Sequence, residues 1–519
     1  MNNQHSDQDQ EITDLSIEYK DYIEDYNLLD EYLCLEIKKC GPIDYTYHKM
    51  MLPTSPDQDS CKQNSTQSRF ESTWIGQILL KFDKTVLTLV IVSYMNLGFL
   101  TLMILSAKDY FKEFLGVTPS QLQTATSIMY LPWGFKVIYG VISDAFPLFG
   151  YKRKSYLIIN GFIGFISILM IVPGIYEEYV FVTMLLTFAM VASASTDILV
   201  DSLLASEAKK DKLNGSENLQ FIANTFSGIG GVLGAILGAI FTQYTHPKYG
   251  FLIYSCLGLS LFLASLNLKE KRISNNSEEQ TTLENSYKQL LEAVKNKKIQ
   301  KVILFQIISG AIVPRFSQYK YFFMLDYQGM SQFNFGLLSI LCSCTLILLA
   351  LFFSKMVQKY SYRQAFAFGI LLTSFTTACD IIYVLRINRM LYINDYIMLI
   401  FTNLLEDIMQ TRYLFYCSGV VHNRLAPSKV EATIMALFAG FSNIGFGVIA
   451  QFFGNFCAEI IGVNNENIQD IYKLLIIKLV FSFVPLTFLR LIPNKDEIEN
   501  DVDLQRLNKN DDNKEQLLI

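Results

Sequence analysis

Charge is what this chain of 519 residues lacks: 18% of it is Asp, Glu, Lys or Arg, against 51% hydrophobic residues, at a mean hydropathy of +0.28. Average soluble domains carry about a quarter charged residues. The polar stretches 1–76, 269–300 and 494–519 hold 28 of the 48 acids and 17 of the 43 bases, leaving 20 acids and 26 bases for the other 385 residues. At about 12% charge that core is too apolar to cover a soluble globule, which excludes a soluble enzyme, a nucleic-acid binder and a disordered chain. Histidine is also scarce, with four residues at 5, 48, 246 and 422, none of them expected deep in a span. No Walker A motif is present, which argues against ATP-driven pumping. The nine cysteines form neither a CxxC pair nor a disulfide framework, and Cys256, Cys342, Cys344 and Cys379 read as packing residues. The first 25 residues are acidic and contain no apolar signal region, and no metal or cofactor motif was found.

What is present is a series of long apolar runs. A helix needs about 20 apolar residues to cross a bilayer. Twelve stretches qualify: about 84–106, 121–142, 155–173, 179–205, 217–243, 249–268, 301–325, 333–354, 364–385, 395–421, 431–457 and 470–492. The expected fold is therefore an all-α membrane protein. Lys152, Arg153, Lys154, Lys209, Lys210, Lys212, Lys355, Lys359, Arg363, Arg424 and Lys429 fall in one alternating set of loops, against six bases in the other. Positive charge accumulates on the cytoplasmic side, so this set, the central loop and both termini are expected there. The sequons at Asn64, Asn214 and Asn275 fall on the same side.

The polar segment 269–300 divides the core into two six-helix parts, 77–268 and 301–493, with a short surface helix expected over 283–300. FSGIGG (226–231) and FSNIGF (441–446) match at an offset of 215, each in the fifth span of its part, which favours duplication. Gly230, Gly234 and Gly238 bare one face of span 5 and are expected to pack within the monomer. In the acidic region 1–76, Ile12, Leu15, Tyr19, Tyr22, Tyr26, Leu29 and Leu33 are spaced 3-4-3-4-3-4. That pattern predicts an amphipathic helix docking on the protein's own face or on a helical partner.

From Pro119 the chain reads PSQLQTATSIMYLPWGFKVIYGVISDAFPLFGYKRKSYLIINGFIG. With TDILVDSLLASEA (196–208) and RLAPSKVEATIMALFAGFSNIG (424–445), this resembles the folate–biopterin transporter family, a branch of the major facilitator superfamily. The resemblance covers roughly residues 80–492. It implies twelve helices in two pseudo-symmetric halves and secondary transport of a folate- or pterin-like solute by alternating access, coupled to protons. It also implies that spans 1, 4, 7 and 10 line the cavity, and that Asp144 with Lys152, Arg153 and Lys154 forms a gating latch. The insert AFPLFGY separates that acid from those bases. A different anionic or amino-acid-like cargo, or a receptor or scaffold that kept the fold, are the alternatives.

Ionisable side chains inside a span cost about 2.5–3.5 kcal/mol on insertion scales and need a partner or a function. The deep ones are Lys136, Asp197, Asp201, Arg315, Asp380, Glu406, Asp407, Arg412 and Lys478. Asp197 and Asp201, one helical turn apart, are candidates for proton coupling, with Asp197 also a candidate for binding a pterin's donor pair. Structurally, Asp201 would only cap the helix or bridge a loop base. Glu406 is a secondary proton site, and Asp407 and Lys478 are expected to pair. Arg315, beside a proline expected to break span 7, and Arg412 are candidates for binding a substrate carboxylate. A permanent Asp–Arg bridge between the halves is the other reading of Arg412.

Overall fold

The computed structural model describes residues 81–211, 215–272, 288, 291, 294–342, 360–408, 413–425, 431–494 and 497. All belong to the unit Gln77–Ile519. The helical pattern expected over 12–33, the three sequons, Arg412 and most of the 269–300 segment lie outside them.

The described residues are almost wholly helical. The first group comprises α1 (Lys84–Asp109), α2 (Pro119–Gly134), α3 (Lys136–Ala145), α4 (Lys154–Leu169), α5 (Tyr179–Ala208), α6 (Gly215–Tyr244) and α7 (Lys248–Asn267). The second comprises α8 (Lys297–Ala311), α9 (Ser317–Phe322), α10 (Gln332–Cys342), α11 (Tyr362–Val384), α12 (Asp395–Glu406), α13 (Leu414–Leu425), α14 (Glu431–Asn443), α15 (Ala450–Ile461) and α16 (Ile471–Ser482). Among the described residues seven helices are long and apolar enough to cross a membrane, fewer than the twelve spans expected. Breaks in two of the expected spans account for part of the difference. Pro132 lies within α2, and the helix breaks at Phe135 before resuming as α3. Pro314 stops α8 at Ala311, and helix resumes only at Ser317. α4 is short, and the eighth and tenth expected spans are described only in part. A helix-interior proline removes a hydrogen bond and clashes with the preceding turn, so the break before Pro314 follows from sequence.

Helix starts are marked locally. Thr118 and Gln121 form a capping box with Pro119 in the first turn of α2, and Ser361 and Gln364 do the same for α11. The α3–α4 connection turns at Leu148-Phe149-Gly150-Tyr151. Both central residues have positive φ (55° and 80°), and Tyr151 N–H donates to Leu148 O at 3.0 Å. This mirror-image turn favours glycine at its second central position, where Gly150 sits.

The glycine stripe of span 5 packs within the monomer. Gly230 lies against Gly98, 3.2 Å from an added Cβ to its Cα, and Gly234 is equally close to Phe99 Cα. In the second group Gly445 lies against Ile307, and Gly310 against Gly445 and Phe446. The two matching motifs thus occupy corresponding crossings, α6 on α1 and α14–α15 on α8.

Candidate functional site: buried charges at the seam between two helix groups

We call the end bearing the 146–153 turn the basic face and the end with the 113–118, 327–331 and 462–467 loops the far face. Among the described residues, the bonds joining the two helix groups run from mid-depth to the far face. Lys112 Nζ pairs with Asp326 at 2.7 Å, and Gln318 donates to Thr126 at 3.2 Å. Asn455 donates to Ser120 O and Thr124, and Gln243 accepts from the Phe333 backbone. Gln123 Nε2 donates to both Arg315 O and Gln451 O at 2.8 Å, and the deepest bond runs from Asn443 to Trp133 O. No such bond joins the groups at the basic face among the described residues. Packing between the groups continues toward the basic face, where α3 lies against α14.

At its centre is the broken seventh span. The Arg315 N–H, freed by the break, donates to Ala450 O at 2.9 Å, and its carbonyl is taken by Gln123. Backbone polar groups freed at membrane depth must be satisfied by neighbours, and here they are. The guanidinium carbon stands over Phe446, 3.8 Å from the ring centroid, with no ion pair or hydrogen bond among the described residues. Phe446 is also part of the wall of a cavity of about 370 Å³, lined further by Gln306, Ser309, Phe366, Ser418 and Asn443. A planar cation with five free donors beside an aromatic-walled cavity suits a carboxylate attached to a flat ring. Gly454 makes this approach possible: a Cβ there would collide with Arg315 O and come within 2.8 Å of Gln123 Nε2. Gly454→Val is therefore expected to open the seam, seen as faster thiol labelling of a cysteine placed in it.

The second cluster joins α1, α3 and α5. Lys136 Nζ bonds Asp197 Oδ2 and stands over Trp133, 5.1 Å from its centroid. The break at Phe135 places Lys136 at the head of α3, aimed across at α5. Asp201 accepts the Tyr94 hydroxyl from α1, so it binds a neighbouring helix and not a loop base. A cavity of about 20 Å³, room for one water molecule, adjoins Asp197. Ser93 Oγ, Asn96 Oδ1 and Thr196 Oγ1 are buried without a partner, and their residues line it.

The third cluster corrects one expected pairing and adds a residue. Lys478 bonds Glu406 at 2.7 Å, where Asp407 had been expected as its partner; the helix phase turns residue 406 toward α16. Lys320, absent from the deep charges read from the sequence, bonds Asp380 at 2.8 Å and reaches Glu406 at 3.5 Å. The break at Pro314 was the available signal, because it moves Lys320 into the first turn of a separate helix. His422, expected shallow, is buried, bonded to Gln306 and stacked on Phe438.

The latch expected from Asp144, Lys152, Arg153 and Lys154 has no ion pair among the described residues. The turn at 148–151 separates them, and Glu270 accepts the backbone N–H groups of Arg153 (3.2 Å) and Lys154 (2.7 Å) instead. Those donors are the free ones at the start of α4, a position that favours a carboxylate.

Comparison with known proteins settles the class. The model of the BT1 family matches residues 97–513, most of the chain. This chain belongs to the BT1 family. Probable folate-biopterin transporter 4 of Arabidopsis thaliana is 22% identical, over 81% of this chain and 98% of its own length. The folate-biopterin transporter of Synechocystis sp. is 24% identical (78% and 81% covered), and folate transporter 1 of Plasmodium falciparum 21% (74% of each). Among solved structures, the nucleoside transporter NupG aligns with a TM-score of 0.60 at 15% identity, covering 80% of this chain and all of that one. A D-xylose-proton symporter aligns at 0.59 and 11%, covering 80% and 98%. These likenesses show a fold of the major facilitator type. The BT1 protein is an integral membrane transporter of a small-molecule solute and not an enzyme.

Proposed function

We propose that this BT1 protein is a secondary transporter of a folate- or pterin-like solute, working by alternating access between two six-helix halves and coupled to protons. The observation that carries the reading is Arg315, a guanidinium with no acid partner among the described residues, whose ring partner Phe446 also walls a cavity of about 370 Å³ in the second helix group. In this reading the basic face and both termini are cytoplasmic. Tag labelling that finds the termini on opposite sides would break the two-half arrangement.

Arg315 holds the solute's carboxylate while aromatic walls hold its ring. Arg315→Lys keeps the charge and loses the two-pronged geometry, and a charge-assisted hydrogen bond contributes roughly 1.5–3 kcal/mol. The apparent dissociation constant for folate is expected to rise about ten- to a hundredfold, with biopterin, which lacks the glutamate tail, far less affected. Equal losses for both would make Arg315 a structural residue. Arg412 is proposed as a second contact for the same tail.

The proton belongs to the Asp197–Asp201 pair. Two carboxylates and the single Lys136 ammonium are electroneutral when one carboxyl carries a proton, so loading and releasing it changes whether Lys136 is held. Glu406 is less suited as carrier, being bound by two ammonium groups. Uptake of radiolabelled folate and biopterin into proteoliposomes tests the function. Accumulation that depends on an imposed pH gradient is expected, and failure to take up either solute would refute it.

A further inference from the structure

The small cavity beside Asp197 has more oxygen in its wall than the chain itself satisfies. It lies inside the first helix group, between α1 and α5, and its volume of about 20 Å³ is that of one small occupant. Ser93 and Thr196, 8% and 5% exposed, line it together with Asn96. Ser93 Oγ, Asn96 Oδ1 and Thr196 Oγ1 have no hydrogen-bond partner among the described residues. Asp197, also in the wall, gives Oδ2 to Lys136, which leaves Oδ1 without a hydrogen bond among the described residues. An amide oxygen and a carboxylate only accept, so this wall calls for a donor or a cation and turns away an anion.

Charge decides between those occupants. Asp201, one turn along α5, accepts the Tyr94 hydroxyl, and Lys136 is the ion-pair partner of Asp197. Two ionised carboxylates against one ammonium leave a single negative charge inside a low-dielectric helix bundle. A water molecule would fill the hydrogen bonds and leave that charge, and a divalent ion would overshoot it. A monovalent cation balances it. Neutral and anionic oxygen donors suit a hard cation, and a cavity of this size admits Na+ or Li+, whereas K+ needs longer bonds and more ligands. We propose that Ser93, Asn96, Thr196 and Asp197 form a Na+ site. The proposal goes beyond the folate reading above and holds whatever the cargo: Na+ here balances the charge that a proton balances in that reading.

An ion that binds only the folded state raises the unfolding temperature by mass action. The purified protein in detergent is unfolded in NaCl, LiCl, KCl and choline chloride at one ionic strength and one pH. Na+ and Li+ are expected to raise the midpoint saturably, and K+ and choline are not. Trp133 localises the effect, because the Lys136 ammonium that bonds Asp197 stands 5.1 Å from its ring centroid. In a Trp74→Phe background Trp133 is the sole tryptophan, and its emission should titrate with Na+ at the same half-saturating concentration. Thr196→Val should raise that concentration about tenfold or more, and Thr196→Ser should restore it. Ser93→Ala, which removes the hydroxyl on the other helix, should also raise it, so the outcome does not hang on the folding of one variant. Absence of Na+-specific stabilisation would mean that the cavity holds water, and would overturn the proposal. So would a stabilisation that Trp133 does not follow, or one that both Thr196→Val and Ser93→Ala leave unchanged. Neither readout uses folate, so failure to take up folate or biopterin would remove the transport reading and leave the Na+ titration intact.

Discussion

Replacing Lys320 with Met is expected to destabilise the protein by about 3–5 kcal/mol, the usual cost of removing one partner from a buried pair. Asp380 is 1% exposed and Lys320 Nζ is its ion-pair partner at 2.8 Å. The variant leaves a carboxylate inside the bilayer region with nothing to neutralise it. Thermal unfolding in detergent reads the loss. Removing both charges, as Lys320→Met with Asp380→Leu, should recover much of it, because an apolar pair often replaces a buried ion pair at little cost. A single variant as stable as the parent would mean that the pair does not exist at depth. The network holds α9, α11, α12 and α16 together around the broken seventh span, so the recovered double variant also asks whether Arg315 keeps its position. Unchanged folate affinity in that variant is the expected result.

The second large effect is functional. Asp197→Asn or Asp201→Asn is expected to abolish uptake driven by a pH gradient while leaving solute exchange partly intact. Each substitution removes a titratable carboxyl and keeps a side chain of the same shape. Asp197→Asn also frees Lys136, whose carboxylate partner is Asp197, while Asp201→Asn leaves the Tyr94 hydroxyl an amide oxygen to bond. The measurement is accumulation at several imposed gradients against exchange with no gradient. Unchanged pH dependence in both single variants and in the double would place the proton elsewhere.

Much of this arrangement was legible in the sequence, for physical reasons. Hydropathy and charge give the membrane class because lipid tolerates few unpaired charges. The SDAFPLFGYKRKSY block gives the family. Pro314 gives the break in span 7, since proline cannot continue a helix, and the glycine spacing of span 5 gives a close helix crossing without naming its partner. Partners were harder to read. Helix phase decides that residue 406, and not 407, meets Lys478, and one residue of phase is finer than hydropathy boundaries resolve. Lys320 was missed because an unbroken 25-residue span puts it at the lipid surface, whereas the broken one puts it inside. Glu270 and Tyr94 act across 116 and 107 positions of chain, and no local pattern points to them. A positive-φ turn separates Asp144 from the basic residues expected to latch with it.

Alternating access by a folate- or pterin-carrying protein is tested most directly by counterflow. Proteoliposomes are loaded with excess unlabelled folate, diluted into tracer, and followed with no ion gradient. A carrier that exposes one site to each side in turn must show a transient overshoot of labelled folate inside, and this account predicts one that Arg315→Lys reduces and unlabelled folate outside suppresses. Labelled folate that merely equilibrates, with no overshoot in the unmodified protein, would contradict it.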